Sequence, residues 1–296
     1  RATGNVLRDD RYADRDGTAF SPSAGLVWTP ADAWRVRANA QRSFRRPTLN
    51  ELYRPFRVGP NITEANEALG TERVTSAELA GEWSLPAASS AHSNRPASQR
   101  AARFSLGAAL FWNDLRDAVG NVTRVRGPGT YPLFGFVPAG GVGRQRLNLE
   151  RSRVRGVELS ARWRPTPAAT FTADYLFNEA EVTRAPVAPT LVGRRIAQVP
   201  RHSAALGAHV GLPGGFTLTP RVRFIGRQFE DDENQLILGA VVIGDLSVSR
   251  KLSEHIELFL TAENVGNARL ETGRTSDGLV NTGTPRFLLG GLRGSW

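Results

Sequence analysis

The chain is 296 residues long, enough for one large all-β domain or two ordinary ones, and contains no cysteine, which excludes a disulfide framework and any cysteine-ligated metal. Its 38 Lys+Arg against 28 Asp+Glu leave a formal charge of +10, which favours anionic partners: nucleic acid, lipopolysaccharide or lipid headgroups, or anionic small ligands. A mean hydropathy of -0.30 with no long apolar run excludes a transmembrane helix, but not a membrane barrel, whose alternating strands average to a soluble-looking value.

Alternation starts at Phe20, Pro22, Ala24, Leu26 and Trp28, which share one parity. A turn at 29–33 follows, with Pro30 fixing φ and Asp32 able to bond its own backbone. Beyond it, Trp34, Val36, Ala38 and Ala40 alternate with Arg35, Arg37, Asn39 and Gln41. A side-chain period of two predicts strands with one apolar and one polar face. The same alternation returns at 76–83, 104–112, 157–164, 171–177, 204–212, 216–224, 246–248, 256–262 and 288–296. This gives about eleven strands, many of roughly 9–12 residues, the length a tilted strand needs to cross a bilayer. Globular strands run nearer five or six.

The connections alternate in length. Those at 29–33, 166–169, 213–215 and 253–255 are short, and those at 46–75, 127–143, 185–201 and 271–285 are long. Short turns on one side and long loops on the other are expected of an outer-membrane barrel. Two connections break the pattern: 87–103 is long where a short turn is expected, and 230–234 is brief where a long loop is expected. The apolar-face aromatics Trp28, Trp34, Trp83, Phe104, Trp163, Phe171, Phe216 and Trp296 cluster beside the short turns. Tryptophan favours the bilayer interface, where the ring is half apolar and its N–H stays wet. The expected fold is therefore an all-β transmembrane antiparallel barrel. The first residue is Arg1 and no signal peptide precedes the strands, so the chain is expected to be part of something longer.

Several short motifs resemble the C-terminal half of the barrel of TonB-dependent outer-membrane receptors. Ser43-Phe-Arg-Arg-Pro-Thr-Leu-Asn-Glu-Leu-Tyr53 resembles that family's strand ending before a long outer loop. Asn66-Glu-Ala-Leu-Gly-Thr-Glu72, Val154-Arg-Gly-Val-Glu158 and Val199-Pro-Arg-His202 resemble further family segments in the family's order. Glu263-Asn-Val-Gly-Asn267 resembles another, with Val265 and Gly266 in place of the usual Leu and Phe. The resemblance implies that 1–296 is the C-terminal part of a barrel of about 22 strands, with the N-terminal plug, the TonB box and the first strands outside it. It also implies a TonB-dependent transport receptor for a scarce small-molecule ligand, such as a ferric siderophore or cobalamin. The implied partners are the TonB–ExbB–ExbD system acting through a plug, lipopolysaccharide and outer-membrane lipid, and the Bam machinery, which reads a terminal strand ending in Trp296. The alternative is a passive porin-like or adhesin barrel of another family.

Ligand contacts are expected in the outer loops. Arg45, Arg46, Tyr53, Arg54, Phe56 and Arg57 combine charge with aromatic surface, Tyr131, Phe134 and Phe136 are expected to form an aromatic loop tip, and Arg194 and Arg195 add charge elsewhere. Cationic and aromatic groups together suit an anionic chelate. The competing role for each is general: arginines against lipopolysaccharide phosphates, aromatics packing loops together. Arg35, Arg37, Glu158, Arg162, Arg221 and Arg223 fall on the polar face and are expected to line the lumen. The acidic run Glu230-Asp-Asp-Glu-Asn234 fits a hairpin tip better than a calcium loop.

Catalytic residues, cofactor and metal are not expected. The sequence has no GxSxG, P-loop or dinucleotide fingerprint, and its histidines lack metal-ligand spacing. His202 and Ser203 are neighbours whose side chains point to opposite faces of a strand. Nucleic acid is not an expected partner either, because an aromatic-and-basic stripe would have to share one face, whereas here arginines and aromatics have opposite parity.

Overall fold

The computed structural model describes residues 14–86 and 102–294. A hairpin joins β1 (Ser23–Ala31) to β2 (Trp34–Arg45). Helix α1 (Leu49–Tyr53) and the short strands β3 (Phe56–Val58) and β4 (Asn61–Glu64) occupy the connection to β5 (Glu72–Pro86). β6 (Ala102–Arg126) and β9 (Val142–Thr166) are 25 residues each, and between them sits the hairpin of β7 (Gly129–Tyr131) and β8 (Gly135–Val137). β10 (Ala169–Arg184), β11 (His202–Leu212) and β12 (Phe216–Ile225) follow. The next loop carries β13 (Gln228–Phe229) and β14 (Ile237–Leu238), and leads to β15 (Val241–Lys251) and β16 (Ile256–Glu263). β17 (Glu271–Arg274) and β18 (Val280–Thr282) precede β19 (Phe287–Gly294).

The long strands form one antiparallel meander in the order β1-β2-β5-β6-β9-β10-β11-β12-β15-β16-β19. Each is paired with its predecessor in the chain order of the long strands. Such neighbour-to-neighbour wiring is the topology of an up-and-down barrel wall.

Among the described residues, no second layer covers the apolar face of the sheet. Leu26 is 67% exposed, Leu206 58% and Leu292 68%, and Leu79, Leu110, Leu159, Leu258 and Leu260 are exposed with them. A soluble sandwich would bury these side chains against another sheet. An apolar face this large and this open is suited to lipid. Tightly packed apolar clusters instead lie at the loop end of the wall, one where Val122 of β6, Leu149 of β9 and Val182 of β10 meet Leu191 of the next loop, the other around Ile62, Phe134 and Val137.

The aromatic belt runs continuously across neighbouring strands. Trp34 pairs in register with Trp83, their rings 6.4 Å apart, and Trp83 meets Phe104 edge-on at 6.0 Å. Phe104 pairs with Trp163, which stacks on Phe171 at 5.4 Å. Trp28, Trp34, Trp163, Phe171 and Phe216 all remain substantially exposed, as interfacial rings do.

The short turns at 32–33, 167–168, 213–215 and 252–255 are where alternation places them. The 230–234 segment is not a brief loop. The connection from β12 to β15 runs from 226 to 240 and folds into its own hairpin, so it joins the long-loop side. Its short apolar strands Gln228–Phe229 and Ile237–Leu238 read as continuations of the barrel strands in the sequence. The 87–101 part of the unusually long turn and the terminal Trp296 lie outside the described residues.

Some family-like motifs prove to be backbone devices. Asn264 and Asn267 both have positive φ, 49° and 50°, a conformation asparagine tolerates better than most residues. The Asn264 amide donates to the carbonyls of Ala268 (2.9 Å) and Thr284 (3.2 Å) and accepts from the Ala268 N–H (2.7 Å). Gly156, within Val154–Glu158, passes beneath Phe111. A Cβ there would stand 2.0 Å from the Phe177 carbonyl oxygen and 2.5 Å from Phe111 Cζ.

Candidate functional site: the outer loops and the lumen wall

The first long loop is built on a capped helix. Thr48 Oγ1 accepts from the Glu51 N–H (3.2 Å), and Glu51 returns the bond by accepting from the Thr48 N–H (2.7 Å). This reciprocal pairing satisfies two amide donors that a helix start leaves open. Arg45, at the end of β2, then grips the loop. It donates to both Glu51 oxygens (2.8 and 3.1 Å) and to Glu72 at the start of β5. Those hydrogen bonds from Arg45 hold the Glu51 carboxyl down at about 2, against an ordinary 4.5.

The loop does not stop at its own strands. β4 pairs in parallel with β9, Ile62 opposite Gly143 and Glu64 opposite Gln145. Because β6 holds the other edge of β9 at those residues, the loop has passed β5 and β6 to reach it. Arg146, buried on β9, secures the crossing. It donates to the carbonyls of Asn50 (2.6 Å) and Arg54 (3.0 Å) and lies over the Phe56 ring at 5.1 Å. Asn66 donates to the Arg146 carbonyl (2.9 Å), and Asn148 pairs with Gly70 through two hydrogen bonds. Sequence reading missed Arg146 and Asn148 because both sit inside a strand, where polar residues read as one face of an alternation.

The expected contact residues divide by environment. Arg45 is committed to two carboxylates. Arg46 and Tyr53 line a cleft of about 510 Å³ with Phe44, Leu52 and Arg73, and Arg46 also donates to the Arg15 carbonyl (2.9 Å). Arg54, Phe56 and Arg57 are exposed. Arg57 donates to the Phe136 carbonyl (2.8 Å), which brings Phe136, 59% exposed, beside the first loop.

The aromatic loop tip is only partly as expected. Phe136 projects, but Phe134 is buried against Ile62 and Val137, and Tyr131 packs on the same cluster with its hydroxyl donating to the Arg126 carbonyl (2.7 Å). Within β8, Val137 turns inward and its neighbour Phe136 therefore points out, whereas Phe134 precedes the strand in the turn and folds back onto the cluster.

Arg194 and Arg195 belong to a separate pair of loops. Arg194 is exposed. Arg195 donates to the Val199 carbonyl (3.2 Å), lies over Phe229 at 5.4 Å and uses its backbone N–H to bind Asn234 Oδ1 (2.6 Å). Burial pushes its guanidinium pKa down.

The acidic run forms the tip of the β13–β14 hairpin. Asp231 Oδ1 accepts from the N–H groups of Gln235 and Leu236, Asp232 accepts from the Thr123 N–H and hydroxyl, and Glu233 pairs with Arg126. Its carboxylates therefore tie this loop to β6.

The polar face carries Arg35 opposite Glu82, Asn39 bonded to Glu78 (3.3 Å), and Arg223 paired with Asp245 (2.9 Å). Arg37, Glu82, Glu158, Asp174, Arg221 and Arg223 line a concavity of about 490 Å³. Mixed charge of this kind suits a water-filled wall.

A wall of long meandering strands is the fold of an outer-membrane-type β-barrel. Its outside is apolar and its inside polar, one rim is girdled by aromatics and the other crowned by packed loops. Residues 1–265 match the family described as TonB dependent receptor-like, beta-barrel, and the chain belongs to that family. Among solved structures it is similar to the siderophore receptor PiuA from Acinetobacter baumannii, with 15% identity, 92% of this chain and 35% of that chain covered, and a TM-score of 0.66. It is similar to a variant of the ferric enterobactin receptor PfeA from Pseudomonas aeruginosa, with 17% identity, 93% and 40% covered, and a TM-score of 0.64. The copper transporter OprC is comparably similar, with 13% identity, 93% and 39% covered, and a TM-score of 0.66. No curated protein matches the chain. The chain spans 35% to 40% of the length of these solved proteins. At such identities the likeness speaks for the fold.

Proposed function

We propose that this chain forms the C-terminal part of the barrel of a receptor in a Gram-negative outer membrane that takes up a scarce anionic ligand, such as a ferric siderophore. Uptake is driven by the TonB–ExbB–ExbD system, which pulls on a plug held against the polar wall. The lipids of that membrane surround the apolar face, and the Bam machinery inserts the barrel through its last strand. The solved proteins of this fold include siderophore receptors and a copper transporter, so the fold alone leaves the ligand open.

The observation that carries the ligand assignment is the contact of Arg57 with Phe136 where two outer loops cross, with Arg54 and Phe56 exposed on the same loop as Arg57. Guanidinium groups beside exposed aromatic rings suit an anionic chelate bearing flat donor groups. Arg46 and Tyr53 extend the surface along the neighbouring cleft.

Binding of candidate ferric chelates to the full-length receptor tests this, with Arg54→Ala and Arg57→Ala singly and together, at two salt concentrations. A charge-assisted contact contributes roughly 1.5–3 kcal/mol, so each variant weakens binding by about tenfold or more. An unchanged dissociation constant for the double variant sinks the assignment.

A further inference from the structure

The loops lean on one another beside the start of β9. Ser276, in the turn after β17, donates its hydroxyl to the Gly140 carbonyl. Gly140 has a φ of +71°, and a Cβ there would stand 2.6 Å from the Asp277 side chain. A Cβ on Gly141 would stand 2.4 Å from the Pro60 carbonyl oxygen. The first loop and the last therefore meet the 127–141 connection at adjacent residues, where only bare backbone fits.

A polar cavity of about 10 Å³ adjoins that contact. It is lined by Asn61 of β4, Thr123 of β6, Arg144 of β9, Asp231 at the β13–β14 tip, and Arg274 and Ser276 of the last loop. Asp231 is 3% exposed. Its Oδ1 accepts from the N–H groups of Gln235 (2.9 Å) and Leu236 (2.7 Å) within its own hairpin. Its buried Oδ2 has no hydrogen-bond partner among the described residues, and neither have the buried Nε groups of Arg144 and Arg274.

Such groups are costly to leave bare in a dry site. The cavity is close to the roughly 10–15 Å³ that one water needs. An ion suits it less, since a cation would face two guanidiniums and an anion the carboxylate. Water fits both sides. It donates to the carboxylate and accepts from two N–H groups, about the three hydrogen bonds a buried water typically makes.

We propose that Asp231 holds one buried water, shared with Arg144 and Arg274, and that this node locks the connections over 46–71, 127–141, 226–240 and 264–286 into one body. The node does not depend on which ligand the receptor takes. Arg57 and Phe136 ride on the first two connections, so a change in the last two reaches them.

Hydrogen exchange on the full-length receptor with Asp231→Asn and Arg274→Gln, singly and together, tests the node. Asp231→Asn is isosteric and keeps an Oδ1 acceptor for the hairpin, but it turns a third donor towards a water that can accept only two. Protection falls by about tenfold or more over 61–64, 127–141 and 274–282 as well as over 226–240, while β12 and β16 keep theirs. Arg274→Gln approaches from the opposite loop and loosens the same set. The Arg274 side chain is 36% exposed, so this variant folds even where Asp231→Asn does not, and its loss over 226–240 then carries the test. Because either change breaks the same node, the double variant loses no more than the worse single one. A crystal structure of the full-length receptor shows one ordered water bonded to Asp231 Oδ2. Losses confined to the substituted loop, additive losses in the double variant, or a direct bond from either arginine to Asp231 Oδ2 in the crystal overturn the proposal.

Discussion

The guanidinium of Arg146 lies 5.1 Å from the centre of the Phe56 ring and donates to two carbonyls of the same loop. One barrel residue thus fixes a loop that starts several strands away. The expected contact residues Arg54, Phe56 and Arg57 are held by this anchor rather than by their own strands.

Arg146→Ala frees the Asn50 and Arg54 carbonyls and removes the cation from the ring. Each lost charge-assisted bond costs about 1.5–3 kcal/mol. Hydrogen exchange on the full-length receptor should show lost protection over 49–64, with the membrane part of β9 unchanged. Unaltered protection in the loop contradicts the anchor.

Glu51 gives the same loop an acid limit. Its carboxyl sits at about 2 when folded, against an ordinary 4.5. A depressed carboxylate contributes stability that is complete above the unfolded value and disappears as pH falls through the folded one. Protection of α1 should therefore fall between about pH 4.5 and 2. Glu51→Gln should lower protection at neutral pH and flatten that dependence. The Arg45 side chain that holds it is 45% exposed, so solvent screens the pair and the effect is modest.

Gly156→Ala puts a methyl group against the Phe177 carbonyl and the Phe111 ring. Overpacking of this sort costs typically 1–3 kcal/mol, and here one clash is with backbone, which cannot turn away. The variant should show a lower urea midpoint, only partly restored by Phe111→Leu. Full restoration would place the whole strain in the ring.

The aromatic girdle predicts a depth pattern. Receptors retaining only Trp83 or Trp163 should be quenched most by lipids carrying the quencher near the headgroup, and least by those carrying it at the chain end. Quenching strongest at the bilayer centre contradicts the placement of the rim.

The meander and the girdle were legible in the sequence because both depend on parity and on position beside a turn. Trp34, Trp83, Phe104, Trp163 and Phe171 met across four interfaces as their alternation implied. The loops were less legible. Phe134 and Phe136 look alike in sequence, yet one fills a hairpin and the other projects. Arg45 looks like a ligand contact until Glu51 and Glu72 are brought to it. Contacts such as Arg146 to Asn50 join residues far apart in the chain, and no local pattern encodes them. The connection over 226–240 misled for a related reason, since its two-residue strands carry too little alternation to separate them from the wall.

The central claim is a wall that crosses an outer membrane with its long loops outside. The chain itself contains no cysteine, so each substitution adds one thiol to it, and the unsubstituted receptor is the control. Arg57→Cys, Arg194→Cys and Asp32→Cys are each placed in the full-length receptor, and intact cells are treated with a membrane-impermeant thiol reagent. The account predicts labelling at 57 and 194 in intact cells, and at 32 only after the outer membrane is broken. Labelling at 32 in intact cells, or none at 57 and 194, contradicts it.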